Sequence, residues 1–163
     1  MLGVSVDLED IVKWEMWECM GVTRDEFVRF HDECLSGAVV VRPVLGAIPG
    51  VKTLESEGHD VTVVTARPDE FAAATFAWLS THGMDHIPLV TGATDKSAAG
   101  PWGAFVDDNL DTCMLLSQSV ELVLLFDRPW NRCESLPGNI RRVRTWDAVL
   151  DTIRGHIIDA RDR

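Results

Sequence analysis

The sequence predicts an α/β fold, a Rossmann-like parallel sheet with helices on both faces and a small helical cap inserted at one edge. Three observations carry this reading. Short apolar runs at 61–65, 87–91, 104–106 and 120–126 alternate with segments of helical spacing, and strands that alternate with helices imply parallel pairing through crossovers. The run at 120–126 is almost continuously apolar, as a parallel strand buried on both faces must be. Several runs also stop abruptly at a polar residue. A buried parallel strand delivers a side chain to its C-terminal edge in this way, and ligands bind along that edge.

Taken in chain order, residues 2–6 read as a short first strand. Residues 9–20 then place Ile11, Val12, Trp14, Met16, Trp17 and Met20 at helical spacing, with apolar side chains on more than one face. Thr23 followed by Glu26 is a capping-box pattern. It opens a helix over 24–36 with Phe27, Phe30, His31 and Leu35 on one side, and Gly37 ends it. A small apolar run at 39–41 precedes Pro43. Pro49-Gly50 opens a helix to about Glu57, and Gly58 closes it.

From there the alternation is regular: strand 61–65, helix 69–82 with Phe71, Ala74, Trp78 and Leu79, strand 87–91, strand 104–106, helix 109–118, strand 120–126. A final short strand at 141–143 and a closing helix over 146–158 complete the chain. The stretch 10–45 is too long and too helical for a simple crossover, so it reads as the cap above the sheet edge. At 163 residues the expectation is one domain over 1–163 with one core, the cap occupying about 10–45.

The net charge of −11 argues against an extended nucleic-acid surface, which needs basic clusters. It leaves room for a small phosphorylated substrate neutralised locally. Met1-Leu2-Gly3-Val4 has no basic region, and no stretch is long enough to span a membrane, so a cytoplasmic protein is expected. A homodimer is compatible with the sequence. Cysteines at 19, 34, 113 and 133 include no Cys-x-x-Cys pair and read as reduced thiols rather than a zinc or redox motif. His82 and His86 flank Gly83 and precede Pro88, which makes them turn residues rather than a helical metal pair.

Four stretches carry the chemistry: Val6-Asp7-Leu8-Glu9-Asp10, Val64-Thr65-Ala66-Arg67-Pro68, Asp95-Lys96-Ser97, and Phe105-Val106-Asp107-Asp108-Asn109. On one sheet edge they would gather carboxylates from two strands, a hydroxyl from a third and a lysine. Carboxylates suit Mg²⁺, and a hydroxyl with an ammonium suits phosphate. Metal-assisted phosphoryl transfer is the chemistry such a set implies.

The order and spacing of these motifs resemble the haloacid dehalogenase-like superfamily of phosphohydrolases, and in particular its small 5′-nucleotidase-like branch. Leu125-Phe126-Asp127-Arg128-Pro129-Trp130-Asn131-Arg132, followed by Arg144-Thr145-Trp146, is similar to the C-terminal part of that group. The resemblance implies a Mg²⁺-dependent phosphatase acting on a nucleotide or similar small phosphate ester. Asp7 would be nucleophile and metal ligand, and Glu9 the general acid and base, its backbone carbonyl facing the metal. Asp107 and Asp108 would complete the metal site. Thr65 and Lys96 would hold phosphate oxygens, with Ala66 and Arg67 beside the substrate.

The first motif departs from the family's Asp-x-Asp, and two registers stay open. In one, Asp7 is the nucleophile and Glu9 replaces the second aspartate. In the other, Ser5 occupies the nucleophile position, Asp7 is the second aspartate, and the chain is a catalytically inactive binding or regulatory module. Other assignments also have plainer alternatives. Asp108 or Asp111 could be a helix N-cap, Thr65 could serve only its turn, Lys96 could be solvated, and Arg67 could pack on the following helix. Trp14 and Trp17 could be core or could line a pocket for a flat base.

Overall fold

The computed structural model describes residues 5–37, 41–133 and 135–161. The described strands are all in parallel pairs. β1 (Val63–Val64) pairs with β2 (Leu89–Val90), and β3 (Ala104–Asp107), β4 (Leu122–Phe126) and β5 (Ile140–Val143) form a second sheet in that order. The helices are α1 (Met16–Met20), α2 (Arg24–Leu35), α3 (Ala47–Ser56), α4 (Ala72–Thr81), α5 (Leu110–Leu116) and α6 (Trp146–Arg161). The chain is therefore an α/β protein with crossover helices, as the alternation predicts.

β4 is the centre of the core, and its residue period shows why. Leu122, Leu124 and Phe126 face one side, against Leu54 of α3 and Val149, Leu150 and Ile153 of α6. Val123 and Leu125 face the other, against Cys113 and Leu116 of α5 and Ile140 of β5. Successive strand side chains point to opposite faces, so a strand covered by helices on both sides must be apolar throughout. A third cluster of Leu79, Met84 and Ile87 packs β1 and β2 on α3 and α4, and Val61 joins it to the first. The α3–α6 contact is close: a Cβ added to Gly50 would lie 2.5 Å from Trp146 Cε3.

The capping box forms as the sequence implies. Thr23 Oγ1 accepts from Glu26 N, and the Glu26 carboxylate accepts from Thr23 N at 2.9 Å. The helix expected over 9–20 is broken. A 3-10 turn, Leu8–Asp10, is followed by irregular chain and then by the short α1. Only Ile11 and Leu35 are buried hydrophobics between residues 5 and 37. Without a surrounding core, apolar side chains on several faces do not sustain one continuous helix. Trp14 is 49% exposed. Trp17 is half-buried and packs on Phe27 with the rings tilted by 53° and their centroids 5.9 Å apart, so neither tryptophan belongs to the core.

Of the expected strand 2–6, residues 2–4 lie outside the described residues, and Ser5 and Val6 are not in a strand. Most of the run at 39–41 also lies outside them. The helix expected over 69–82 begins as a 3-10 turn, Asp69–Phe71, and becomes α-helical at Ala72. His82 Nδ1 meets Trp78 O of α4 at 2.7 Å, and His86 Nε2 meets Glu55 of α3 at 2.8 Å. All four cysteines are free. Burial, and then the Asp107 charge, push the Cys113 thiol up to about 12. Among the described residues no helix is long and apolar enough to cross a membrane.

Candidate active site

The site is built where β3 ends. Asp107 is its last residue and is 8% exposed. Its Oδ2 accepts a 2.5 Å hydrogen bond from Lys96 Nζ, and its Oδ1 accepts one from Asn109 N at 2.9 Å. The Lys96 and Asp107 side chains are only 16% and 5% exposed. The solvated-lysine alternative therefore does not hold. The local sequence explains how Lys96 is aimed. Asp95 caps the short turn Lys96–Ala99, accepting from Ser97 N at 3.0 Å and from Ser97 Oγ at 2.6 Å. The Trp102 indole donates to Lys96 O at 3.0 Å. Backbone and cap are thus held before the ammonium reaches Asp107.

Asp108 is half-buried beside this pair. Burial and the neighbouring Asp107 charge push its carboxyl above the ordinary value, while Arg128 and Lys96 draw it back. The N-cap of α5 is neither Asp108 nor Asp111 but Asn109, whose Oδ1 accepts from Thr112 N at 2.7 Å. Asp108 is consequently left without a capping role.

Thr65 follows β1 and is half-buried. Its Oγ1 accepts from Arg67 N at 3.2 Å, and its carbonyl accepts from Ala93 N at 3.0 Å in the loop that leads to Lys96. The hydroxyl serves the turn through its lone pair and keeps its own proton to donate. Ala66 is exposed at the tip. Arg67 is half-buried; its Nη1 donates to Thr75 Oγ1 of α4 at 3.4 Å. Burial lowers its guanidinium from the ordinary value.

Asp7 precedes the turn Leu8–Asp10, and its carbonyl accepts from Asp10 N at 3.0 Å; its side chain is exposed. Glu9 is also exposed and pairs with Arg132 at 3.0 Å. That turn packs on a second 3-10 turn, Pro129–Asn131, just past the C-terminal end of β4. The structure thus joins Lys96 to Asp107 and sets Asp108 beside them. It brings neither Asp7 nor Glu9 into hydrogen-bonding contact with that pair.

Asn131, Arg142 and Asp127, for which the sequence suggests no individual role, underlie the acidic corner. Asn131 is 1% exposed. Its Nδ2 donates to Asp108 O at 2.9 Å and to Phe126 O at 2.7 Å. Its Oδ1 accepts from Arg142 Nη1 at 2.7 Å and Arg128 N at 3.1 Å. Arg142 in turn donates to Asp127 Oδ1 at 2.8 Å. The run Asp127-Arg128-Pro129-Trp130-Asn131-Arg132 was visible as a motif, but nothing local assigned roles within it.

Among the described residues no group of three or more His, Cys, Asp or Glu is gathered to hold a metal ion. Two adjacent carboxylates are present at Asp107 and Asp108; burial first, and then the Asp107 charge, raise the Asp108 carboxyl, and the second of these is a repulsion that a cation would relieve. Mg²⁺ is commonly held by one or two carboxylates, with waters and substrate phosphate filling the rest. The donor set fits that ion in that mode rather than a closed all-protein cage.

No family model matches the chain, and no solved structure matches it. It is similar to a Halalkalibacterium halodurans protein named "Putative nucleotidase", 24% identical over 148 residues, 87% of this chain and 75% of that protein. It is likewise similar to a Clostridium acetobutylicum protein named a nucleotidase, 24% identical over 153 residues, 91% of this chain and 79% of that one.

Proposed function

We propose that this chain is a Mg²⁺-dependent phosphomonoester hydrolase of the haloacid dehalogenase-like kind, acting on a nucleotide or similar small phosphate ester. The observation that carries the reading is the Lys96–Asp107 pair, its side chains 16% and 5% exposed, at the C-terminal end of β3 beside Asp108. A lysine held within reach of two carboxylates suits a site where phosphate and a divalent cation meet. The similarity to two proteins named as nucleotidases supports the substrate class.

In this reading Asp107 and Asp108, with Asp7, hold Mg²⁺, which supplies charge neutralisation at the phosphoryl oxygens. A carboxylate oxygen of Asp7 attacks phosphorus, forming an aspartyl-phosphate and breaking the ester P–O bond. Glu9 protonates the departing oxygen, then takes a proton from the water that releases phosphate and restores Asp7. The Thr65 hydroxyl and the Lys96 ammonium steady the phosphoryl oxygens, and Ala66 and Arg67 border the substrate. Helices α1 and α2 form the cap.

A second reading has its own observation. The Asp7 side chain is exposed, and the described residues hold no cluster of three carboxylates. If Ser5 occupies the nucleophile position, the same scaffold binds without hydrolysing. The test is phosphate release from a panel of nucleoside monophosphates and an aryl phosphate, with and without Mg²⁺, for wild type and Asp7→Asn. Hydrolysis by the wild type and a loss of several orders of magnitude in the variant are expected. Retention of more than about a tenth of the rate by Asp7→Asn would remove Asp7 as nucleophile. No Mg²⁺-dependent release by folded wild type favours the binding module.

A further inference from the structure

We infer that Asn131 is a positioning residue, whose amide sets the Asp107–Asp108 corner and whose turn ties that corner to the Asp7–Glu9 segment. This rests on the reading under Proposed function. All four hydrogen-bonding positions of the side-chain amide are used. One hand holds the carbonyls of Asp108 and Phe126, and the other accepts from Arg128 N and Arg142. The ends of β3, β4 and β5 therefore meet on a single 1%-exposed side chain.

An apolar side chain of similar size would fill this space without the desolvation cost of an amide. What only the amide adds is direction. It fixes the Asp108–Asn109 peptide, whose N–H donates to Asp107 Oδ1, and so the bearing of the Asp107 carboxylate toward Lys96. Arg142 is braced from outside by Asp127, which also meets Arg144 at 3.4 Å. On its other side the turn Pro129–Asn131 packs against Leu8–Asp10, and the adjacent Arg132 pairs with Glu9. One turn thus touches both acidic segments that the proposed chemistry needs at a set separation.

The variant Asn131→Asp keeps size and the acceptor for Arg142 but turns a carboxylate oxygen toward the Asp108 and Phe126 carbonyls. Backbone hydrogen exchange and steady-state hydrolysis are measured on the full chain, well below its melting temperature. The Asn109 amide, which donates to Asp107, should exchange about tenfold faster or more, while amides of α6 stay unchanged. kcat should fall about 10- to 100-fold, with half-saturation by Mg²⁺ raised. KM for the phosphate ester should stay within about threefold. A merely structural residue would lower the melting temperature and speed exchange throughout, leaving kcat intact in the folded fraction.

If Asn131→Asp does not fold, Arg142→Lys carries the test, with the same pattern at smaller amplitude. Unchanged Asn109 exchange in a folded variant overturns the inference, as does an unchanged kcat. If the wild type hydrolyses no phosphate ester, the proposed function fails. The Asn109 amide then decides the positioning role alone.

Discussion

Replacing Lys96 by Met keeps the length of the stem and removes the ammonium. Asp107, with a side chain 5% exposed, is then left beside Asp108 with Asn109 N–H as its remaining donor. Removing one partner of a buried ion pair typically costs about 3–5 kcal/mol, because the other charge stays buried without compensation. Lys96 retains 16% exposure and the Asn109 bond survives, so the low end applies, about 3 kcal/mol. For a chain of this size that is a fall in melting temperature of about 6–12 °C. Thermal melts at pH 7, checked by urea midpoints, measure it. Replacing both partners, Lys96→Met with Asp107→Leu, should recover most of the loss, since an apolar pair avoids the desolvation cost. Added salt should change the single-variant loss little, because buried pairs are poorly screened. A Lys96→Met protein melting within about 2 °C of wild type would mean that the pair does not hold this corner together.

The other expectations concern ligand, acid and packing. Asp107→Ala should weaken Mg²⁺ binding far more than Asp111→Ala, because Asp107 is the buried last residue of β3 whereas Asp111 is exposed in the first turn of α5; equal shifts in a calorimetric titration would misplace the ligand strand. Glu9→Gln should release a burst of phenol from an activated aryl phosphate, near one equivalent per site, and then turn over slowly, because such a leaving group departs without much protonation while water still needs a base. Wild-type rates on aryl phosphate and nucleotide alike would reduce Glu9 to the surface partner of Arg132. Gly50→Ala should destabilise by about 1–3 kcal/mol through its clash with Trp146, although alanine is the better helix former. Gly155→Ala, where a Cβ meets nothing within 4 Å, should gain up to about 1 kcal/mol in the same urea titrations.

What could be read from the chain alone depended on neighbours in sequence. The period of β4, the capping box at Thr23 and Glu26, and an apolar run stopping at Asp107 are short-range patterns, and they predicted a parallel α/β sheet and the strand that ends the acidic corner. Helix boundaries were less secure where no core supports them. The stretch after Glu9 has helical spacing but little to pack against, so it folds as two short pieces rather than one. The site was legible as residue types but not as contacts. Lys96 looks solvated in a polar loop until the Asp95 cap and the Trp102 indole turn it onto Asp107. Asp108 looks like a helix cap until Asn109 takes that place. Asn131 sits in a legible motif but carries no local sign of its role, because Asp108 lies just past β3, Phe126 ends β4 and Arg142 is in β5, and they meet only when the strands pack. The Glu9–Arg132 pair joins residues 123 positions apart, and no periodicity reaches that far. Local patterns determined which elements form; the aim of each polar side chain was decided by long-range burial, which leaves each buried polar atom only the partners that the packed strands bring to it.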